Sequence, residues 1–520
     1  MLRIYRYFLC GLMLAPMLYI LLRASENPQQ FFEYFLSEFV WRAALSSSVL
    51  VATVALLVVL IAVPLAILVE KTDLPLARLW RSLFVLPLCI PSYVGTFILI
   101  ATFGPHGSLL QKLLKSWGMQ QDLPSIYGFP GAVLGITLFT YPYVFVATQV
   151  VLRKMNPHLD EVAMTLGVKR RFLLLKVWLP YIKLPVLASV LLVSLYALSD
   201  FGTPSLMRYS NLPQSIYLAY SAYYDRYLAA VLSAVLLFIA FVFLYLERKG
   251  RGVFRSYEVI SVVSTSSVRL DLGCWRYFAF FWCSIVFIFS FLLPVGVMFY
   301  WIVQGGSSLL VDISLVKVIP SLLVALGAAF VITIVIFPAA FQSERMKQPY
   351  ALIEKMIYIG SSAPALVTAL AFVFFVNRFF PQVYQTYFVL FLAYIVLLGA
   401  KSFMILQGGV SQVSSRLEEV ARTLGEGGVG VMKRVTFPLM KPAFLSSLVL
   451  IFVSVIKELP VTMLLAPIGY QSLATQVWTA TEDAAFAEAA LLSVIIVGLA
   501  LFALGLSEYW GIEKSKKGTV

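Results

Sequence analysis

Long apolar runs separated by short polar stretches extend along the whole chain, with neither the twofold alternation of a half-buried strand nor the narrow stripe of a surface helix. A hydrocarbon core ~30 Å thick needs ~20 mostly apolar residues per crossing helix. Runs of that length recur near 5–23, 43–68, 82–103, 129–151, 181–204 and 227–246, then near 276–302, 318–341, 354–376, 385–406, 443–466 and 487–510. The pattern predicts about twelve transmembrane helices. A β-barrel would read as short alternating segments, whereas these runs are continuous in Leu, Val, Ile, Phe and Ala. The first run follows Arg3 and Arg6 as a signal peptide would, but no small-residue cleavage site follows it, so it reads as a retained helix.

The polar interruptions are not all different. Glu161-Val-Ala-Met-Thr-Leu-Gly167, running on to Val177-Trp-Leu-Pro180, returns as Glu419-Val-Ala-Arg-Thr-Leu-Gly425, running on to Val435-Thr-Phe-Pro438. The offset is 258 throughout, close to half of the 520 residues, and eight of the twenty positions are identical. This is an internal duplication. Ser47…Pro64 likewise resembles Ser321…Pro338, and Pro91 and Pro364 stand in the next helix of each half, at offsets of 274 and 273. The chain therefore divides into a first half, 1–246, with its polar block at 156–180, and a second half, 276–520, with its block at 414–438. Glu247 to Trp275, rich in Ser, Val and Arg, joins them. Six helices per half, with both ends on one side, make the repeats parallel in the membrane.

Each block starts with helix-start chemistry: Asn156-Pro157 offers a cap and an N1 proline, and Ser415-x-x-Glu418 spells a capping box. Glu161 and Glu419 suit the positive end of a short helix, and Ala163 and Ala421 would let another surface approach closely. Gly167 and Gly425 suit a left-handed helix stop, and Pro180 and Pro438 suit the first turn of the next span.

Composition agrees with the pattern: 61% of residues are hydrophobic, 12% are charged, and the mean hydropathy is +0.91. Placing both blocks in the cytoplasm puts about 30 of the 39 Lys and Arg residues there, eight outside and Lys457 within a helix, which satisfies the positive-inside rule with both termini cytoplasmic. The net charge of +14 is then a lipid-facing fringe and not a nucleic-acid surface. Cys10, Cys89, Cys274 and Cys283 show no Cys-x-x-Cys spacing, and His106 and His158 are far apart, so neither a disulfide framework nor a stable metal site is indicated. Gly425-Glu-Gly-Gly-Val-Gly430 matches G-x-G-x-x-G, but no strand precedes it and the first block has Lys169 and Phe172 at equivalent positions, so it is not a nucleotide site. No catalytic cluster is evident.

Ionisable residues within spans default to functional hypotheses. Asp200, in Ser199-Asp-Phe-Gly-Thr-Pro204, and Glu458, in Lys457-Glu-Leu-Pro-Val-Thr462, are again 258 apart. The neighbouring Pro and Gly allow a broken helix lining a cavity. Two such carboxylates on a central pathway would attract a hard cation.

The spacing Glu-x-Ala-x3-Gly-x9-[Ile/Val]-x-Leu-Pro resembles the EAA loop of membrane subunits of binding-protein-dependent ABC importers; the second copy departs from it in Phe437 and in its glycine-rich middle. The resemblance implies an all-α, bacterial inner-membrane permease of the type I importer fold, with two tandem six-helix halves. It implies that Glu161, Ala163, Gly167, Pro180, Glu419, Ala421, Gly425 and Pro438 couple the chain to two copies of a separate ABC ATPase, because no G-x-x-x-x-G-K-[ST] occurs here. ATP and Mg²⁺ would then sit on that partner, and this chain would be a transport subunit with no cofactor or catalytic residue of its own. The segments around Asp200 and Glu458, with Gly469-Tyr-Gln-Ser-Leu-Ala-Thr-Gln-Val-Trp478, resemble the fused permeases of ferric-iron importers. Permeases for thiamine, sulfate, phosphonates or polyamines share the architecture. A periplasmic binding protein would dock on outer loops near 205–226 and 467–486. Tyr217, Tyr220, Tyr223 and Tyr224 crowd the first of these, as an interfacial aromatic belt would. A secondary transporter has a similar helix count and would work without an ATPase.

Overall fold

The computed structural model describes residues 2–105, 107–118, 123–156, 158–254, 269–306, 315–346 and 351–517; His106, Pro157 and most of the linker lie outside them. Among the described residues ten helices are long and apolar enough to cross a bilayer, and two bent helix pairs raise the number to twelve if each counts as one span. The all-α expectation is met. A helix satisfies its own backbone groups, which hydrocarbon cannot do.

The bends fall at the two prolines noted in the sequence. Ala77–Cys89 meets Ser92–Phe103 at 92°, and Leu352–Ser361 meets Ala365–Phe379 at 101°. Pro91 and Pro364 precede the second limb of each pair. The residue before a proline is pushed out of the helical region, and Ile90 is extended, with ψ 117°. Each expected single span at 82–103 and 354–376 is therefore broken, which the apolar run hides because both limbs are equally apolar.

The chain forms two compact units, one of Met1–Glu33, Arg226–Leu237 and Gln304–Val520, the other of Tyr34–Asp225 and Phe238–Val303. Relative to the two sequence halves, each unit thus carries a segment from the other half. In the second unit Glu38–Lys71, Phe129–Lys154 and Leu179–Ser199 pack together, burying Val54, Val58, Ile136 and Phe145 completely. In the first, Leu315–Met346, Tyr387–Gln412 and Phe437–Ile456 do the same around Ile332, Ile336, Phe403 and Ile451. Close approach drives helix packing where lipid removes the hydrophobic incentive, and Ala62, Ala66, Ala325, Ala328 and Ala329 are buried accordingly.

Aromatic contacts seat the exchanged segments. The ring of Trp80 lies 5.7 Å from Phe280 and 6.1 Å from Phe287, so Trp275–Phe287 rests on the bent pair of the second unit. The chain just ahead of it is anchored as well: Leu270 N donates to Lys71 O at 2.8 Å, and Arg276 pairs with Asp73. In the first unit Leu2–Glu26 lies on the other bent pair, with Tyr5 Oη donating to Val335 O at 2.6 Å and Tyr19 packing 5.4 Å from Phe374. The duplicated serines have matched roles: Ser47 Oγ accepts from Leu212 N at 2.8 Å and Ser321 Oγ from Leu473 N at 3.0 Å, each capping the first turn of a short helix, Leu212–Ser221 or Leu473–Glu482.

Candidate functional site

The duplicated blocks fold into two equivalent short helices, His158–Thr165 and Ser415–Thr423, called here the repeat helices. Both stop in the same way. Gly167 and Gly425 have φ of +87° and +91°. Val168 N reaches Ala163 O and Gly167 N reaches Met164 O; Glu426 N reaches Ala421 O and Gly425 N reaches Arg422 O. This paired bonding is the Schellman stop that glycine permits at no steric cost.

The starts differ from expectation in the second copy. Asn156 Oδ1 accepts from His158 N at 3.0 Å, as a cap should. Ser414, not Ser415, precedes the second helix, and no side chain caps it. The capping box is not formed because Glu418 is drawn inward, where Arg345 Nη2 donates to Oε1 at 2.9 Å and Thr436 Oγ1 donates to it at 3.0 Å. Ala421 is also turned inward and Ala163 is half-buried, so these small residues serve packing within the chain more than approach from outside. The exposed face is instead apolar, with Leu159, Val162 and Leu166 in one copy and Leu417, Val420 and Leu424 in the other, all at the 258 offset. Leu166 and Leu424 are 79% and 80% exposed. Glu161 and Glu419 are exposed beside them, Glu161 with His158 Nδ1 at 3.0 Å.

Next to each exposed glutamate is a buried acid that sequence reasoning missed. Asp160, fully buried, meets Lys71 Nζ at 3.3 Å and accepts from Trp178 Nε1 at 2.8 Å. Glu418 has the same relation to Arg345 and Thr436. Asp160 and Glu418, and Trp178 and Thr436, are 258 apart, while Lys71 and Arg345 are 274 apart, the offset of the flanking helices. Those offsets were the available signal. A longer acid with a small partner replaces a shorter acid with a large one, which conserves volume. Arg345 Nη2 also donates to Val413 O at 2.8 Å, closing the end of Tyr387–Gln412.

Trp178 and Thr436 end two π-helical turns, Leu174–Trp178 and Met432–Thr436. A proline crowds the carbonyl four residues back and offers it no donor. For Pro180 and Pro438 those carbonyls belong to Lys176 and Arg434, inside the widened turns, which accommodate the misfit. A third such turn, Ile288–Leu292, precedes Pro294. Pro180 and Pro438 therefore sit where the α-helical part of each span begins, two residues beyond a π turn.

The two membrane carboxylates lie at breaks. Leu179–Ser199 stops at Asp200 before the short helix Gly202–Leu206, and Phe437–Ile456 stops before Pro460–Leu465. Glu458 accepts from Val461 N at 3.1 Å and from Thr462 N and Oγ1 at 3.0 Å each, and Thr462 Oγ1 lies 2.5 Å from Tyr394 Oη. Asp200 is bound more loosely, with Oδ1 accepting from Thr203 N at 3.3 Å and buried Oδ2 lacking a hydrogen-bond partner. A Cβ at Gly135 would lie 2.6 Å from Thr96 Oγ1 and 2.9 Å from Thr203 Cγ2, so this glycine lets the short helix close on its neighbours. Tyr196 Oη donates to Ser92 Oγ at 3.0 Å, and the Tyr196 ring is 6.4 Å from Tyr143.

Tyr143 and Tyr196 correspond at the 258 offset to Lys401 and Ser454. Lys401 Nζ is 3.5 Å from Ser454 Oγ, in mid-span and exposed. An ammonium facing hydrocarbon is costly, which makes Lys401 a candidate for lining a polar path. Its signal was a lysine inside the apolar run at 385–406.

Gly427 and Gly428 open the four-residue helix Gly428–Val431, and Glu426 pairs with Arg434, so the glycine fingerprint is a helix-to-helix turn. Tyr217 packs 4.8 Å from Phe201, while Tyr223 and Tyr224 are exposed. None of the four cysteines forms a disulfide.

Paired units with matched breaks and matched surface helices describe a membrane transport permease. The family described as binding-protein-dependent transport system inner membrane component matches residues 62–248 and 332–512, and the chain belongs to it. It is a multi-pass inner-membrane protein. The Fe(3+)-transport system permease protein FbpB 2 of Haemophilus influenzae is 27% identical over 512 residues, 94% of either chain. The ferric transport system permease protein FbpB of Actinobacillus pleuropneumoniae is 21% identical over 80% of this chain and 64% of its own. The sulfate transport system permease protein CysW of Synechocystis is 26% identical over 38% of this chain and 70% of its own.

Proposed function

We propose that this chain is the membrane subunit of an ATP-driven importer of ferric iron, which a periplasmic binding protein delivers, and that its repeat helices dock two copies of a separate ABC ATPase. ATP and Mg²⁺ are held by that ATPase, both termini are cytoplasmic, and lipid surrounds the spans. The observation that carries the docking assignment is the pair of matched exposed apolar faces, Leu159, Val162 and Leu166 with Leu417, Val420 and Leu424, beside Glu161 and Glu419. An apolar face left open next to a charge is the surface a partner covers. Closure of the ATPase would push both repeat helices, and the breaks at Asp200 and Glu458 would line the path that opens.

Forcing a side chain onto Gly167 and Gly425, where φ is near +90°, strains each stop by about 1–3 kcal/mol. Gly167→Val with Gly425→Val should therefore lower capture of the ATPase subunit by about tenfold or more; undiminished capture would remove the docking assignment.

Iron is favoured because the relative matched along both halves is named for Fe(3+) transport, whereas the relative named for sulfate covers 38% of this chain. A second reading, an oxyanion permease, draws on the exposed ammonium of Lys401. Uptake of labelled ferric iron, sulfate and thiamine, compared in cells with and without this chain, tests both. Iron uptake should disappear without the chain and in Asp200→Ala with Glu458→Ala. Loss of sulfate or thiamine uptake with iron uptake unchanged would overturn the iron reading.

A further inference from the structure

The buried ion pairs beside the repeat helices have a geometry that a surface-docking role does not require. Lys71 is the last residue of Glu38–Lys71, and Arg345 is next to last in Leu315–Met346, so each cation belongs to the end of a long membrane span. Asp160 and Glu418 belong to the repeat helices, and Trp178 and Thr436 to the π turns that lead into the following spans. One carboxylate thereby ties three elements together in each unit, through contacts of 2.8 to 3.3 Å. Lys71, Asp160 and Trp178 are fully buried, and the Lys71 ammonium also lies 5.6 Å from the Trp178 ring centre. Buried charges of this kind are expensive to desolvate, and apolar residues of similar volume often stabilise as well or better. Two copies of such a pair, with different residue types but the same connections, point to transmission and not to stability alone.

We propose that Lys71–Asp160–Trp178 and Arg345–Glu418–Thr436 are positioning triads that make each repeat helix and the adjoining ends of two membrane spans move as one body. A push on the repeat helix then turns the spans, because the carboxylate cannot leave its cation without stranding a buried charge. If the triad is lost, the helix can move while the spans stay behind. This rests on the docking assignment above.

The test uses the complete complex with its ATPase subunits in proteoliposomes. The probe is whichever of labelled ferric iron, sulfate or thiamine the wild-type complex takes up. Lys71→Met with Asp160→Asn, combined with Arg345→Met and Glu418→Gln, removes both charges of each pair and leaves no buried charge unpaired. The proposal expects the ATPase subunit to remain bound while probe transported per ATP hydrolysed falls about tenfold, the size of an ordinary coupling between sites. Lys71→Arg, which supplies the cation used by the second copy, should keep the ratio. A purely structural role would lower the amount of folded complex and its melting temperature but leave the ratio unchanged, and that result would overturn the proposal. Failure of the docking assignment is distinguishable, because it appears as unaltered ATPase capture in Gly167→Val with Gly425→Val.

Discussion

The two copies of the duplication agree at their surface helices and differ in the membrane. The repeat helices share length class, Schellman stop, exposed apolar triplet, buried acid and π turn, position by position at one offset. The carboxylate breaks share only their position. Glu458 is held by three donors and has the Lys401 ammonium nearby, whereas Asp200 accepts from Thr203 N at a longer 3.3 Å and has a tyrosine pair in place of the lysine and serine. In the proposed importer, copies that meet identical partners are held alike, while copies that line one asymmetric route are free to diverge.

The comparison can be broken first through the buried acids. Asp160→Ala strands a wholly buried lysine and should destabilise by about 3–5 kcal/mol. Glu418→Ala should lose roughly half as much, since the Arg345 side chain is 16% exposed and keeps its bond to Val413 O. Unfolding midpoints of the two purified variants measure this, and equal losses would remove the asymmetry.

A middle-sized effect separates the membrane carboxylates. Glu458→Gln disturbs three hydrogen bonds to a charged group and should lose about 1.5–3 kcal/mol of stability. Asp200→Asn should leave stability within about 1 kcal/mol yet, on the proposed path, reduce uptake of the transported probe more, because Asp200 gives up fewer hydrogen bonds within the protein than Glu458 does. If Glu458→Gln proves the more harmful to uptake and the less harmful to stability, the division of roles is wrong.

Exchanging the third difference gives a smaller shift. If Lys401 lines the proposed path, Lys401→Tyr removes a positive charge from it and should strengthen half-saturation by a cationic probe by up to about tenfold, with Tyr143→Lys acting in the opposite sense. No change in either variant would mean that Lys401 does not face the path.

The smallest effect is electrostatic and belongs to the turn after Glu38–Lys71. Hydrogen bonding from Arg276 holds the Asp73 carboxyl below its ordinary range. A carboxylate with a depressed folded value contributes stability above its unfolded pKa, near about 3.9, and loses it as pH falls through the folded value. Acid titration of the melting temperature should therefore show a slight loss below about pH 4 that Arg276→Ala abolishes; an unaltered slope in that variant would dissociate Asp73 from the effect.

Hydropathy alone determined that the chain crosses the membrane and where the ten long apolar helices among the described residues lie, and the repeated residues at one offset showed that it is duplicated. Spacing alone gave the repeat helices, their glycine stops and the family. These are local properties: a run of Leu and Val declares its solvent, and a glycine at a helix end declares its φ. Tertiary structure decided the rest. Pro91 and Pro364 could be kinks in one span or ends of two, and only the packing of each limb fixed the right-angle bends. Glu418 could cap its helix or pair with a distant cation, and the cation 73 residues away won because a buried charge-assisted bond outweighs a solvated cap. The first span of each half could pack at home or away, since apolar surface is non-directional and carries no address. Sequence fixes what each segment must bury, and the partner that buries it emerges only when all segments compete at once.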